Sequence, residues 1–287
     1  MSYHITAYST ALYSTWIAVE PLGILFDAGD GLSAGLLGKA GKIKHVFISH
    51  PDRDHLTGLL QFLQLNARPG APKIYYPEDA GSFPHLATFQ QKFDPHVAAV
   101  PWQGIQDGAE ISLGKNLLVQ AIRNNHVPAA PGVSKSLSFK VFETKRKVKP
   151  EFARLSQAEM KEIASTRGRE FLTKEVRTNV LSYSGDTPVD DYARWDGSEI
   201  LIHEATFLHA EKDTVPEGHR NKHSLLDDVF RMVREINIGR LILSHFSSRY
   251  TRGEIDQAIR HLCKVYNIEI PVYAIYPGEI HRDILNE

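Results

Sequence analysis

Ten short runs of apolar and β-branched residues, each bounded by turn-forming residues, recur along the chain. Runs of this length and composition are typical of β-strands. The predicted strands are residues 14–19, 23–27, 45–49, 73–76, 117–122, 137–142, 180–184, 200–203, 240–244 and 271–275. Strands that group together and are followed by helices, twice along the chain, predict an α/β fold with sheets inside and helices outside.

Three further segments have the spacing of helices. Apolar residues recur every three or four positions across 225–233 and across 255–266. Ser156 followed by Glu159 is a capping-box pattern, which predicts the start of a short helix. That helix lies within residues 143–177, a span with ten Lys and Arg residues and six Glu residues. We expect a basic helical excursion there, either a solvated surface or an arm that contacts the substrate.

Composition excludes several classes of protein. The 33 Lys and Arg residues against 34 Asp and Glu residues leave a net charge of −1, without the overall basic charge of a nucleic-acid binder. The single cysteine, Cys263, excludes an intrachain disulfide framework and a cysteine-rich zinc site. Neither an 18-residue apolar stretch nor a signal-peptide pattern at the N-terminus is present, so we expect a cytoplasmic protein.

The most informative segment runs from residue 46 to residue 55 and has the sequence VFISHPDRDH. A predicted buried strand ends at Ser49, and the next six residues carry His50, Asp52, Asp54 and His55. A tight loop after a strand can turn four such side chains toward one point, and imidazole and carboxylate groups suit Zn²⁺ and its neighbours. The alternative is a polar turn that contains two histidines and two aspartates without binding a metal.

Three other segments favour the metal site. His126, Asp186 and His245 each come shortly after a predicted strand, which is where α/β sheets collect their functional groups. Any one of them could be a structural residue. Four such segments in a chain with 14 histidines together predict a metal centre.

The order of these residues resembles the metallo-β-lactamase superfamily, whose signature is His-x-His-x-Asp-His followed by His, Asp and His. The segments His203-Glu-Ala-Thr-Phe207, Lys222-His223-Ser224 and 243–250 (LSHFSSRY) are similar to its tRNase Z (ribonuclease Z) branch, which cuts the 3′ trailer from precursor tRNA. The turn Phe26-Asp-Ala-Gly-Asp-Gly31 also resembles that branch. The resemblance covers nearly the whole chain. It implies a single hydrolase domain over 1–287 with the αβ/βα four-layer sandwich, two mixed sheets flanked by helices.

The resemblance also implies a site with two divalent metal ions and a hydroxide that they activate. One ion would be held by His50, Asp52, His126 and Asp186, and the other by Asp54, His55, Asp186 and His245. Asp54 would orient or deprotonate the attacking hydroxide. Glu204 and His223 match the pair that protonates the leaving oxygen, with the carboxylate holding the imidazole. Glu204 could instead be a salt-bridged strand end, and His223 a structural residue at the start of a helix.

Two departures from the family pattern bear on the metal and on the substrate. Asp52 stands where the family has histidine, so the expected Zn²⁺ could give way to Mn²⁺, Fe²⁺ or Mg²⁺. The family's Pro-x-Lys-x-Arg-Asn motif is not found within 10–19, nor is a Gly-Pro-rich arm tip between His126 and Asp186. The catalytic machinery is therefore better supported than tRNA as the substrate.

Three functions remain open from the sequence. The first is a metal-dependent phosphodiesterase that resembles tRNase Z and acts on precursor tRNA or related RNA. The second is a hydrolase of the same fold that cuts a small phosphodiester or another ester. The third is a catalytically weak metal-binding protein, against which the presence of Asp54, Glu204 and His223 argues. A homodimer is implied by the resemblance alone.

Overall fold

The computed structural model describes residues 3–68, 70, 72–94, 100–114, 116–209 and 222–286. Their strands form two mixed sheets of seven strands each. The first sheet holds β1 (Ile5–Thr10), β2 (Ser14–Val19), β3 (Ile24–Phe26), β4 (His45–Phe47), β5 (Lys73–Pro77), β6 (Trp102–Ile105) and β14 (His281–Arg282), in the order β14-β1-β2-β3-β4-β5-β6. Strands β3 to β6 are parallel, whereas β14, β1, β2 and β3 pair in antiparallel fashion.

The second sheet has the same mixture of directions. It holds β7 (Glu110–Ser112), β8 (Leu117–Arg123), β9 (Leu137–Val148), β10 (Thr173–Tyr183), β11 (Ile200–Glu204), β12 (Arg240–Ser244) and β13 (Val272–Ala274). Their spatial order is β13-β12-β11-β10-β9-β8-β7, with β10 to β13 parallel and β7 to β10 antiparallel. The parallel part of each sheet therefore ends in a row of strand carboxyl ends, where functional groups of α/β folds gather.

The described residues form seven helices. They are α1 (Leu32–Leu36), α2 (Leu59–Leu65), α3 (Ser82–Phe93), α4 (Gln157–Arg167), α5 (Arg169–Leu172), α6 (Leu226–Glu235) and α7 (Arg252–Val265). Short 3₁₀ turns lie at Leu37–Lys42, Arg53–His55, Pro150–Phe152 and Tyr192–Trp195. In the part of the chain that the structure describes, no helix is long and apolar enough to span a bilayer.

Three apolar clusters show that the layers are packed as a sandwich. One lies between the two sheets and joins Phe26 and Phe47 of the first sheet to Phe139 and Tyr183 of the second. A second packs α1, α2 and α3 on the first sheet, and a third packs α6 and α7 on the second. The layer order helix, sheet, sheet, helix confirms the predicted α/β four-layer sandwich.

All ten predicted strands are present, with ends that differ by a few residues or more. The structure adds β1, β6, β7 and β14, and it adds α1, α2 and α3, which the helical spacing did not indicate. Ser156 caps α4, and both hydrogen bonds of the predicted capping box to Glu159 are formed.

The span 143–177 differs from the expected helical excursion. It begins and ends as strand, because β9 and β10 extend beyond the sheet as an antiparallel ribbon in which Lys147 pairs with Lys174 and Lys145 with Val176. It is helical only across Pro150–Phe152, α4 and α5. A helix of such charged residues would have little apolar surface to pack against the domain. The ribbon is instead stabilised by the hydrogen bonds between its two strands.

Candidate metal centre and active site

The loop after β4 places two buried histidines side by side. His50 lies three residues after the end of the strand, and the 3₁₀ turn at Arg53–His55 brings His55 back beside it, with 4.2 Å between the ring centroids. Gly29 and Gly58 permit this fold of the loop, because a Cβ on Gly29 would lie 2.3 Å from the Asp54 carbonyl oxygen and one on Gly58 2.1 Å from that of Gly29. Side chains at these two positions would displace the loop.

Asp27 orients both imidazoles, His55 directly and His50 through the Ser49 hydroxyl. Its Oδ2 accepts a hydrogen bond from Nδ1 of His55 at 2.8 Å, from the Ser49 hydroxyl at 2.9 Å and from the Tyr183 hydroxyl at 2.5 Å. Since the Ser49 hydroxyl donates to Asp27, its oxygen accepts from Nδ1 of His50 at 2.9 Å. Asp27 is fully buried. Because the network occupies Nδ1 of both rings, the Nε2 atoms of His50 and His55 are directed away from Asp27.

His126 and His245 are oriented in the same way. Nδ1 of His126 donates to the Lys222 carbonyl at 2.8 Å, and Nδ1 of His245 donates to the Thr206 hydroxyl oxygen at 2.9 Å. In all four histidines the acceptor therefore places the proton on Nδ1 and leaves Nε2 as a lone-pair donor. Neutral imidazole with Nδ1 held by an oxygen is the form that binds a metal ion.

Asp186 lies at the centre of these Nε2 atoms. Its Oδ2 is 3.3 Å from Nε2 of His55, 3.3 Å from Nε2 of His245 and 3.7 Å from Nε2 of His50. The side chain follows β10 and is almost completely buried. A single carboxylate thus faces His50, His55 and His245 together.

Asp52 and Asp54 each face a different pair of histidines. Oδ2 of Asp52 is 3.6 Å from Nε2 of His50 and 3.8 Å from Nε2 of His126. Oδ2 of Asp54 is 3.4 Å from Nε2 of His55 and 3.5 Å from Nε2 of His245. The Asp52 side chain, at 47% exposure, is the more open of the two, but it faces the two imidazoles rather than solvent alone.

Glu204 and His223 form a hydrogen-bonded pair beside the cluster. Nδ1 of His223 donates to Oε1 of Glu204 at 3.1 Å and lies 3.9 Å from Oδ2 of Asp186. The Thr187 amide donates to the same Oε1 at 2.7 Å, and the Thr206 hydroxyl and the Ser224 amide donate to Oε2 at 2.5 and 3.1 Å. Glu204, at the end of β11, is buried with both oxygens occupied, so it serves His223 and is not a free ligand.

The neighbouring imidazoles lower the pKa of the three aspartates of the cluster, against the effect of burial. Burial alone would raise the pKa of Asp186, but the imidazoles of His245 and His55 outweigh it and hold that pKa well below its usual value. Burial would also raise the pKa of Asp54, and hydrogen bonds from His245 and His55 lower it. Hydrogen bonds from His126 and His50 lower the pKa of Asp52. All three carboxyl groups are therefore anionic at neutral pH.

The donor set fits divalent metal ions. Three buried ring nitrogens have no hydrogen-bond partner among the described residues: Nε2 of His50, His55 and His126. Such atoms destabilise the folded state unless a cation binds there. Ligand atoms lie within 4.8 Å of one another in the sets His50–Asp52–His126, His50–His55–Asp186 and Asp54–His55–His245. Imidazole and carboxylate donors in this mixture suit Zn²⁺, Mn²⁺ or Fe²⁺.

The structure brings every predicted site residue into one cleft at the carboxyl ends of the strands. The predicted residues are His50, Asp52, Asp54, His55, His126, Asp186, Glu204, His223 and His245. Four residues that hold them were not singled out from the sequence: Asp27, Ser49, Tyr183 and Thr206. Asp27 stands in the Phe26–Gly31 turn that resembles the tRNase Z branch, so that motif was the available signal. Thr206 lies within the similar 203–207 segment.

Comparison with known proteins agrees with this geometry. Residues 23–149 match the model of the β-lactamase superfamily domain. The chain is 29% identical over 278 residues to a ribonuclease Z of Ignicoccus hospitalis, with 90% of each chain covered. It is 28% identical over 270 residues to the tRNase Z TRZ1 of Arabidopsis thaliana, with 91% of each covered.

A solved structure shows the same fold. The metallo-β-lactamase fold protein YhfI from Bacillus subtilis superposes with a TM-score of 0.64 at 14% identity, covering 97% of this chain and 99% of its own. The fold is that of the metallo-β-lactamase superfamily, and residues 23–149 match its domain. Within that superfamily the chain is similar to the ribonuclease Z proteins over most of its length, which confirms the resemblance predicted from its motifs.

Proposed function

We propose that this protein is a metal-dependent phosphodiesterase of the ribonuclease Z kind, which processes the 3′ end of precursor tRNA or a related RNA. The observation that carries the proposal is the Glu204–His223 hydrogen bond at 3.1 Å, within 4 Å of the Asp186 carboxylate. A protein that only binds a metal needs no proton donor beside it. A hydrolase that expels an alkoxide does.

We assign the ligands of two divalent ions as the motifs imply. His50, Asp52, His126 and Asp186 would hold one ion, and Asp54, His55, Asp186 and His245 the other. The unpartnered Nε2 atoms and the position of Asp186 between the two sets support this assignment. We expect Zn²⁺ at these positions. Asp52 adds a hard oxygen donor, which would favour Mn²⁺, Fe²⁺ or Mg²⁺ instead.

When bound, such ions supply Lewis acidity toward the phosphoryl oxygens and lower the pKa of water in the site. The chain provides the remaining chemistry. Asp54 is anchored by the Leu12 amide, which donates to its Oδ2 at 3.2 Å, and would orient the attacking water and accept its proton. His223 has Nδ1 committed to Glu204, so Nε2 would donate the proton that the leaving oxygen needs.

The charge of His223 suits this role. Burial disfavours the imidazolium, but the carboxylate of Glu204 outweighs burial and raises the pKa of His223 to about 9. The imidazole is therefore protonated at neutral pH, before the substrate reaches it. Phe207 stands edge-on to the ring at 6.1 Å between centroids and limits its rotation.

For the RNA substrate we propose that the span 143–177 is a basic arm. Its ribbon strands expose Lys147 and Lys174, for which the described residues offer no ion-pair partner. At the tip, Lys149 and Arg167 lie 5.6 and 5.0 Å from the centre of the Phe171 ring, which leaves an aromatic group between two cations. Cations interleaved with an aromatic ring favour a nucleic-acid contact. A homodimer, a single domain over 1–287 and a cytoplasmic location stay predictions.

One observation favours a small phosphodiester or another ester as an alternative substrate. β1 and β2 are joined by a tight hairpin at Ala11, Leu12 and Tyr13, closed by a hydrogen bond from the Tyr13 amide to the Thr10 carbonyl at 3.0 Å. This short turn replaces the stretch in which the family carries its Pro-x-Lys-x-Arg-Asn motif. The loss of basic residues there weakens the case for tRNA in particular.

The test compares both substrates in one preparation. The metal-loaded protein is incubated with a precursor tRNA that has a 3′ trailer and, separately, with bis-p-nitrophenyl phosphate, alongside the Asp186→Ala variant. We expect trailer removal at one site and no cleavage by the variant. Hydrolysis of bis-p-nitrophenyl phosphate alone would favour the small-substrate alternative. Failure to cut either substrate would contradict a phosphodiesterase.

A further inference from the structure

A cavity of about 740 Å³ opens beside the metal-ligand cluster, and the catalytic chemistry does not use it. One side is formed by the loop after β4, including Asp52, Arg53, Asp54 and Leu56. The other side is formed by the start of α3 and by Leu12 at the tip of the β1–β2 hairpin. Its volume is in the range of pockets that bind small organic ligands. Because Asp52 and Asp54 line it, a substrate held at the metal centre would extend into it.

Leu12 is in an unusual position for an apolar residue. Its side chain is 88% exposed, and its backbone has φ of 70°, in the left-handed region that residues other than glycine rarely adopt. The Leu12 amide donates to Asp54 at 3.2 Å, and the preceding Ala11 amide donates to the Phe246 carbonyl at 3.1 Å. The hairpin tip is thus tied to the Asp54 and His245 loops, and it presents an apolar side chain at the rim of the cleft.

Arg53 is the cation of the same cavity. It lies between Asp52 and Asp54 in sequence and is exposed, and the described residues provide neither an ion pair nor a hydrogen bond to its guanidinium. A guanidinium left open in a cleft can bind a phosphate through two parallel hydrogen bonds. The exposed Leu12 and the partly buried Leu56 and Leu86 complete the walls.

We propose that this cavity is a subsite for the nucleotide next to the scissile phosphodiester. Arg53 binds the neighbouring phosphate, and the base packs against Leu12, Leu56 and Leu86. The proposal rests on the phosphodiesterase function proposed above and adds a specificity-determining contact to it. The chemistry it requires is a second phosphate one nucleotide away from the scissile one, with a base beside it, which an RNA trinucleotide has and a simple diester lacks.

The position of Arg53 makes the proposal specific. The loop turns Asp52 and Asp54 toward the histidines, whereas Arg53 is open to the cavity. A phosphate at Arg53 would therefore lie beside the metal centre and not in it. This arrangement separates the reacting phosphate from the one that is only bound.

The experiment measures kcat/KM of the metal-loaded protein on three substrates: bis-p-nitrophenyl phosphate, an RNA dinucleotide and an RNA trinucleotide. The trinucleotide adds a second phosphate, so Arg53→Ala should lower the trinucleotide-to-dinucleotide ratio by about tenfold or more, the range for removal of a charged hydrogen bond. Arg53→Lys keeps the charge without the planar fork and should recover part of the loss. The change should appear mainly in KM.

A second variant tests the apolar wall from a different element. Leu12→Asn keeps a residue that tolerates the left-handed backbone and removes the apolar contact. It should lower the dinucleotide-to-bis-p-nitrophenyl phosphate ratio by about tenfold. The matched control is Arg240→Ala. Arg240 is exposed at the amino end of β12, which is the end of that strand away from the site. This variant should leave both ratios unchanged. Metal content is measured for every variant.

The outcomes separate the subsite from the proposed function. If all three diesters are hydrolysed and neither ratio changes in Arg53→Ala or Leu12→Asn, the subsite is wrong and the phosphodiesterase stands. If none of the diesters is hydrolysed, the proposed function is wrong. In that case fluorescence anisotropy with a labelled trinucleotide still decides the subsite: equal affinity of the original protein and Arg53→Ala overturns it.

Discussion

Nδ1 of His223 donates a hydrogen bond to Oε1 of Glu204 at 3.1 Å, and the Thr187 amide donates to the same oxygen at 2.7 Å. Glu204 is buried at the end of β11, whereas His223 retains 19% exposure of its side chain toward the cleft. A charged, oriented imidazole beside a carboxylate-rich metal site is the arrangement that a general acid requires. This pair favours a hydrolase over a catalytically weak metal-binding protein.

Replacement of His223 by Ala should therefore affect substrates according to their leaving group. On an RNA substrate, whose alkoxide needs a proton, the rate should fall by roughly 10²–10⁴, the usual range for a general acid. On bis-p-nitrophenyl phosphate the loss should be far smaller, since p-nitrophenolate leaves without one. Single-turnover rates on both substrates give the comparison. Equal losses would assign His223 to binding or folding.

The pH dependence should move when Glu204 is changed. His223 acts as an acid only while protonated, so the rate on RNA should fall as pH rises through its pKa, which Glu204 raises to about 9 against the effect of burial. Glu204→Gln removes the carboxylate charge, so the alkaline limb should shift to lower pH. The pH–rate profiles of both proteins test this. An alkaline limb that stays in place would remove Glu204 from proton delivery.

Asp52 should tune the metal site without being essential to the fold. Its carboxylate faces His50 and His126, so Asp52→Ala should lose metal affinity on that side and remain folded. Asp52→His removes a negative charge and should retain metal, shift preference toward Zn²⁺ and move the acidic limb of the pH–rate profile downward. Metal titration and the pH profile are the measurements. Full metal content and an unshifted profile in Asp52→Ala would strike Asp52 from the site.

Charge reversal on the ribbon should weaken RNA binding in a salt-dependent way. Lys147 and Lys174 are the better targets, because Lys145 and Arg146 already pair with Glu143 and Glu170. Reversing Lys147 and Lys174 to Glu should lower RNA affinity and reduce its salt slope by about one for each phosphate that the arm no longer neutralises. Arg240→Glu is the control. An unchanged slope would make the arm a solvated surface.

The sequence was sufficient for the elements that carry local signals and for naming the candidate ligands. Buried strands such as β12 and the histidines after them are read from hydrophobic runs and from the residue types that bind metals. Strands β7 and β14, with three and two residues, were missed because such short segments exist only through pairing with a neighbour. The 143–177 ribbon was missed for a related reason, since its cross-strand pairs join residues that are far apart in sequence.

The supporting network was also beyond the sequence. Asp27 and Tyr183 are 156 positions apart, and their hydrogen bond exists because the two sheets pack face to face. Leu12 reads as an ordinary turn residue, and only the structure places its amide on Asp54. Long-range contacts of this kind determine how each ligand is aimed, whereas the motifs indicate only which side chains are available.

We propose that the residues around Asp186 hold two divalent ions. The most direct measurement is elemental analysis of the purified protein and of Asp186→Ala, together with phosphodiester hydrolysis before and after chelation. We predict close to two divalent ions per chain, loss of activity on chelation and its recovery with Zn²⁺ or Mn²⁺, and a depleted, inactive variant. A protein without bound metal whose hydrolysis is unaffected by chelators would contradict the claim.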